Sequence, residues 1–175
     1  MDYRALGFEF PKMFDPRIIR LTKGRFAIVD GLDFELVNQH SWNAQKRGNS
    51  YYAHRTINLG HRRFASTEMH RQIMNAQKGR DIDHKNHNGL DNTRQNLRHC
   101  TGSQNCQNRR HGWGSSRFKG VSWHKLKNKW QSRIRVNQKD LILGTFDDEV
   151  EAAKAYNEAA QKHFGEFACL NKFPF

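Results

Sequence analysis

The tightest constraint on the fold lies between Lys129 and Val136, where residue character alternates without a break. A period of two puts Trp130, Ser132, Ile134 and Val136 on one face of an extended strand and Lys129, Gln131, Arg133 and Arg135 on the other. The first face belongs against a core, and the second projects long polar side chains. Charge is sorted along the chain in the same sense. From Ser115 to Lys139 there are 8 Lys and Arg and no Asp or Glu, whereas Asp140 to Glu166 holds 7 acidic residues against 2 basic ones. Uninterrupted positive charge on a strand repels itself without an anionic partner, so one face here is built for phosphate.

The neighbouring segments supply the rest of a small module. Phe118 to His124, Lys129 to Val136 and Leu141 to Phe146 read as three strands, with a turn around Asn137-Gln138-Lys139. Asp148-Glu-Val-Glu151 has capping-box spacing and opens a helix running to about His163, where Gly165 ends it. Val150, Ala153, Tyr156, Ala160 and Phe164 form its apolar stripe.

Composition bounds the remainder. A chain of 175 residues with 36% hydrophobic content and a mean hydropathy of −0.95 is lean for one large core, so two or three small modules are expected. A formal charge of +13 and a pI near 10.1 favour a polyanion as partner, because Lys and Arg contacts that release phosphate counterions supply most non-specific affinity. Cys100, Cys106 and Cys169 are odd in number and form no Cys-x-x-Cys pair, so they read as free thiols in a reducing compartment. No charged-then-apolar leader and no run of about 18 apolar residues is present, which points to a cytoplasmic protein with no membrane partner.

Residues 1 to 60 alternate short β-like runs with turns: Ile18 to Leu21, Thr22-Lys-Gly24, Phe26 to Val29, Asp30-Gly31, and Tyr51 to Arg55. They are expected to form a β-rich N-terminal region with Trp42, Tyr51 and Tyr52 in its core. Ser66 is expected to start a short helix reaching Met74, with Met69, Ile73 and Met74 facing inward.

Residues 83 to 105 carry the chemistry. An Asp83-His84 pair is followed by Asn96 twelve positions past the histidine and Asn105 nine further on. The histidine can deprotonate water near neutral pH. The aspartate and a later asparagine offer hard oxygens to a divalent cation, and a middle asparagine can hold the imidazole in one orientation, so the set can cut a phosphodiester. His87 and Asn92 compete for roles, Asn92 for the orienting one. Arg80 to Lys85 can form a short strand, Asn86 to Asn92 a turn-rich loop, and Thr101-Gly-Ser-Gln104 a capping box that puts Asn105, Asn108 and Arg109 on one helix face, with Asn108 a backup ligand. Consecutive strand side chains point to opposite faces, so Asp83 and His84 can share a site only where the strand ends or kinks.

This stretch resembles the active-site core of the HNH homing endonucleases, phage and intron-type nucleases built on a ββα-metal motif. The resemblance implies that Asp83 and Asn105 ligate Mg²⁺ or Mn²⁺, that His84 is the general base, and that Asn96 orients it. Asparagine replaces the last histidine of the signature. His70, just upstream, is expected to be a structural polar residue beside the site. One such site per chain implies nicking by a monomer or weak dimer.

Residues 115 to 171 resemble the AP2 DNA-binding domain through Phe118-Lys-Gly-Val121, Lys129-Trp130, Arg133-Ile-Arg135, Leu143-Gly-Thr-Phe146, Glu151-Ala-Ala-Lys-Ala-Tyr156 and Ala168-Cys-Leu-Asn171. In that family a three-stranded antiparallel sheet lies in the major groove of double-stranded DNA with one helix packed behind it. This chain departs from the pattern at Ser122 and His124, where plant members carry arginines, and at Ile142, where a contacting tryptophan is common. Lys129, Gln131, Arg133, Arg135, Ser122 and His124 are the contact candidates, with Arg suited to guanine, Gln to adenine and Lys to phosphate.

The expectation is thus an α+β chain: a β-rich region at 1–60, a nuclease core at 61–110, a linker at 111–116 and an AP2-like domain at 117–171. The alternative is a non-catalytic DNA-binding regulator with a silent nuclease remnant. An RNA-binding protein fits less well, because such a sheet suits the wide major groove of B-DNA.

Overall fold

Short alternating runs become short strands, all of whose ladders are antiparallel, and four α-helices accompany them among the described residues. The computed structural model describes residues 15–110 and 114–173, and the chain divides between Thr101 and Gly102 into two compact units.

In the first unit β1 (Pro16–Arg20) and β2 (Phe26–Asp30) pair across a turn in which Lys23 and Gly24 take φ of 61° and 63°. Alternation sends Ile19, Ala27 and Val29 into the core. Next comes α1 (Gly31–Asn38), a helix the β-rich reading of residues 1–60 does not anticipate, because Asp30-Gly31 reads locally as a turn. Its buried residues are Val37 and a charged one, Asp33. A three-stranded sheet follows, in the order β3 (Asn43–Arg47), β4 (Ser50–Asn58), β5 (Phe64–Glu68).

Strand β5 occupies the segment expected to open a helix at Ser66. Pairing of Ser66 with Thr56 and of Glu68 with His54 overrides that local signal, and α2 is confined to Met69–Ile73. Met69 and Ile73 do face inward. Trp42 is buried, as expected of a core aromatic, and its indole N–H donates to the Val37 carbonyl at 2.9 Å. The last pair, β6 (Asp81–His84) and β7 (Leu97–Cys100), sets His84 opposite Leu97. Ile82 and Leu97 from this pair join the same core as Ile19, Val29, Val37 and Met69, each burial stabilising by about 1.5–3 kcal/mol.

The second unit begins with α3 (Gly102–Gln107), which starts one residue after Thr101 as the capping box predicts. Then follow β8 (Val121–His124), β9 (Lys129–Val136) and β10 (Lys139–Phe146), with β9 central. The β9–β10 turn uses Asn137 and Gln138 at φ of 49° and 65°, a twist-matched two-residue hairpin. Helix α4 (Glu149–Phe164) is capped where predicted: Asp148 accepts from the Glu151 amide at 2.9 Å, and Gly165 at φ 52° ends it. Its buried side chains are Ala152, Ala153, Tyr156 and Ala160, packed with Phe118, Val121 and Ile134 from the sheet side.

Of the expected linker, residues 111–113 lie outside the described residues. Ser115 and Ser116 brace the sheet entry, Ser116 donating to Glu149 at 2.7 Å and accepting from the Phe118 amide at 2.9 Å, and Ser115 accepting from the Trp123 amide at 2.9 Å.

Gly120 is the tightest point of this unit. Its φ is +78°, and a Cβ there would lie 1.9 Å from Tyr156 Cδ2. Overpacking and a left-handed backbone each cost about 1–3 kcal/mol, so Gly120→Ala is expected to lower the stability of the second unit by at least about 2 kcal/mol. Urea unfolding followed by circular dichroism measures it. An unchanged midpoint would mean that helix α4 does not depend on this approach.

Candidate functional site

The loop between β6 and β7 is shaped by its own short polar side chains. Asn86 accepts from the Asn88 amide at 2.8 Å, Asn88 from the Leu90 amide at 3.1 Å, and Asp91 from the Thr93 hydroxyl at 2.8 Å, the local turn chemistry expected of such residues. Asn96 closes the loop across its base. Its Oδ1 accepts from the Asn86 amide at 3.0 Å and its Nδ2 donates to the Asp91 carbonyl at 2.7 Å.

The loop is also held from the N-terminal region. The Ile28 amide donates to Leu90 at 2.8 Å and the Asn92 amide donates to Ile28 at 2.8 Å. Arg94 forms a bidentate pair with Asp33, both bonds 2.7 Å, while its backbone N–H donates to Asp30 at 2.7 Å. On the other side, Gly89 lies so close that a Cβ would be 2.5 Å from both the Tyr51 carbonyl oxygen and the Tyr52 ring.

His84 is the last residue of β6, so the strand does end at the Asp83-His84 pair. The His84 Nε2 lies 3.3 Å from Asn92 Oδ1, and Asn92 is fully buried. Of the two asparagines considered for the orienting role, Asn92 faces the imidazole, while the Asn96 side-chain amide bonds to the loop backbone. Sequence pattern alone left the two open, since both lie at loop spacing.

Two further rings pack on His84. The His70 centroid is 4.9 Å away at 77°, and that of Tyr52 is 5.7 Å away at 70°. Tyr52, read from sequence as a core residue, thus lines the candidate site. His70 is itself buried, its Nε2 lies 3.2 Å from Glu68 Oε2, and Arg47 ion-pairs with the same carboxylate. The hydrogen bond from His70 comes first in holding the Glu68 carboxyl below its ordinary value, with Arg47 and Arg71 assisting. His87, the other candidate, takes φ 64° and its amide closes a turn onto the His84 carbonyl at 3.0 Å.

Burial pushes the His84 imidazole down to about 4, and the neighbouring His70 adds to this against the opposing Asn92 bond and the Asp83 and Asp91 charges. His84 is therefore neutral at physiological pH, the form a general base needs. Asp83 is treated oppositely. Arg98 reaches its Oδ2 with two hydrogen bonds of 2.9 and 2.7 Å, an ion pair largely out of water. Cys100, opposite Asp81, is pushed up to about 11 by burial and by the Asp83 and Asp81 charges, so it stays a thiol.

Among the described residues no three His, Cys, Asp or Glu side chains gather into a metal cage. Mg²⁺ keeps waters and takes substrate phosphate oxygens rather than an all-protein cage, and the buried Asp83 carboxylate is a hard oxygen donor of the kind it accepts. Asn105 sits on α3 in the second unit, where Asn108 continues the turn with its amide donating to Gln104 at 3.2 Å. The ligand role of Asn105 rests on the sequence pattern.

On β9, Ser132 and Ile134 are buried and Arg133 and Arg135 exposed, following the strand's alternation. Ser122 pairs with Gln131 and His124 with Lys129 in the ladder, so both share that face. Residue counting misses one feature. The hairpin returns Asp140 opposite Arg135 and 3.9 Å from Arg133, while Lys129 pairs with Asp147 at 2.9 Å, so the basic face carries internal anions.

The chain is 32% identical over 160 residues to an uncharacterized HNH endonuclease of Acanthamoeba polyphaga mimivirus, covering 87% of this chain and 78% of that protein. It belongs to the HNH endonuclease family. It is also 44% identical over 63 residues to APETALA2-like protein 2 of Oryza sativa subsp. indica, and 50% identical over 60 residues to AP2-like ethylene-responsive transcription factor PLT2 of Arabidopsis thaliana. Those alignments cover 35% and 33% of this chain but only 14% and 11% of the plant proteins. An HNH and an AP2 likeness thus coexist in one chain. No family model matches it and no solved structure does. No helix among the described residues is long and apolar enough to cross a membrane.

The buried neutral histidine has a stability consequence. An unfolded His84 titrates near 6.5 and the folded one near 4, so within that window the unfolded chain takes up a proton that the native site refuses. The contribution is complete above 6.5 and is lost as pH falls toward 4. Urea midpoints of the wild type are expected to drop across this window, and His84→Gln is expected to flatten that part of the curve. An identical pH slope in the variant would mean that the folded and unfolded His84 bind the proton alike.

Proposed function

We propose that this protein is a Mg²⁺- or Mn²⁺-dependent DNA endonuclease that hydrolyses one strand of a duplex per site, directed by the AP2-like sheet of its second unit. The carrying observation is the contrast at the end of β6: a histidine kept neutral and aimed by Asn92, next to an aspartate held by Arg98. His84 takes a proton from the water that attacks phosphorus in line. The bond from phosphorus to the 3′ oxygen breaks, and the products are a 5′-phosphate and a 3′-hydroxyl. Asp83 is the carboxylate that would hold the cation, with the amide of Asn105 assigned to the same role by its position in the motif. When bound, the cation polarises the scissile phosphate and stabilises the leaving oxygen.

Lys129, Gln131, Arg133 and Arg135, with Ser122 and His124, are the groups that meet the duplex. Arg133 and Arg135 suit base edges and Lys129 suits phosphate. Asp140 and Asp147 must release these cations or share them when DNA arrives. A double-strand break needs two such sites acting on opposite strands.

Supercoiled plasmid with Mg²⁺ is expected to be converted to the open circle, and EDTA is expected to stop the conversion. His84→Ala should lower that rate by about 10²–10⁴-fold while duplex affinity stays within about twofold, since the base makes little ground-state contact. Wild-type nicking by this variant would remove His84 from the reaction.

The binding face has its own test. Lys129→Ala is expected to reduce the slope of log K against log salt by about one unit, and Arg133→Ala to cost about 1–3 kcal/mol with relaxed preference at one base pair. Asp140→Asn is expected to tighten duplex binding, as it frees the arginines. Weaker binding by Asp140→Asn would place Asp140 among the reading groups instead.

A further inference from the structure

Lys119 lies past the residues expected to act as a linker, yet its ammonium turns back to α3. Its Nζ donates to the Gln107 carbonyl at 2.6 Å and to the Arg109 carbonyl at 2.7 Å. The final carbonyls of a helix have no intrahelical partner, and a lysine there also meets the negative end of the helix dipole. A six-residue helix has little stability of its own, so such an anchor matters more than it would on a long one.

The anchor is itself fixed. The Lys119 amide donates to Asn171 Oδ1 at 2.7 Å, and Asn171 Nδ2 donates to the Lys119 carbonyl at 3.0 Å. Asn171 is fastened to α4 through Asn157 by bonds of 2.9 and 2.8 Å. The next residue along, Gly120, accepts from the amide of Arg133 at 2.8 Å. A continuous run of hydrogen bonds thus leads from the C-terminal end of α3 through Lys119 to α4 and to the strand of the proposed reading face.

We propose that Lys119 is a positioning residue that clamps α3 to the sheet of the second unit, so that the helix carrying Asn105 is held by the same body that grips the duplex. This deepens the endonuclease reading and rests on it. Lys119 is in this view withdrawn from DNA, although it stands in the most basic stretch of the chain.

The test uses the full chain with Lys119→Met, which keeps the apolar stem and removes the donors, and Lys119→Arg, which can bridge two carbonyls. In the Met variant the amides of Asn108 and Arg109 are expected to exchange with solvent about tenfold faster or more. Duplex affinity should stay within about twofold, because a clamp turned to α3 makes no phosphate contact. The Mg²⁺ concentration for half-maximal nicking should rise several-fold, and Arg should restore both exchange and Mg²⁺ response. Unchanged exchange in the Met variant overturns the clamp. Lost duplex affinity with a shallower salt slope also overturns it, by making Lys119 a phosphate contact. If the wild type nicks no plasmid with Mg²⁺ or Mn²⁺, the endonuclease reading fails, and exchange and affinity still decide the clamp.

Discussion

The pair between Arg94 and Asp33 is the contact on which the geometry of the first unit's site depends. Asp33 is buried on α1, and Arg94 lies in the β6–β7 connection, sixty-one residues away in sequence. A guanidinium fork on a carboxylate fixes distance and plane together, which a hydrophobic contact would not do. The Arg94 amide adds a bond to Asp30, and the Ile28 backbone takes the loop at positions 90 and 92. Asn92, held on this path, sets the imidazole of His84. The N-terminal strands therefore help set the His84 imidazole as well as supply core.

The site then handles its two ionisable partners in opposite ways. His84 loses water and gains a histidine neighbour, and both disfavour its cation. Asp83 is equally buried but receives Arg98, which compensates for the lost hydration of its charge. A neutral imidazole and an Arg98-paired carboxylate thus stand at neighbouring positions at the end of β6. His70 belongs to this arrangement. Its Nδ1 is buried with no hydrogen-bond partner among the described residues, a cost that an apolar residue of similar shape would avoid, so packing alone does not explain a histidine there.

What could be read from sequence follows from the range of the forces involved. Strand β9, the hairpin at Asn137-Gln138 and the caps of α4 are set by neighbours within a few residues, and they stand where the pattern put them. The HNH and AP2 likenesses were also legible, because each rests on ordered groups of residues. Ser66 misled, since its helix-start signal is weaker than the ladder that pairs it with Thr56. Helix α1 was hidden because its key residue, Asp33, is buried by an arginine far along the chain. The choice between Asn92 and Asn96 was beyond sequence for the same reason: both sit in a loop, and only the three-dimensional course of that loop decides which amide meets His84.

A chain this poor in apolar residues has to obtain shape by other means, and both units do so with polar side chains bound to backbone or to one another. Asn96 closes the β6–β7 loop, Ser116 joins Glu149 to the sheet entry, and Asn171 joins Asn157 to Lys119. Such bonds contribute little net stability each, about 0.5–1.5 kcal/mol, but they are directional, and a buried partner left behind costs more than the bond was worth. Small cores with polar staples therefore trade tolerance for geometry. That exchange suits a site such as that of His84, whose imidazole is useful only if it is held in one position. It also explains why the asparagines of this sequence, easily dismissed as turn formers, are the residues that define its site.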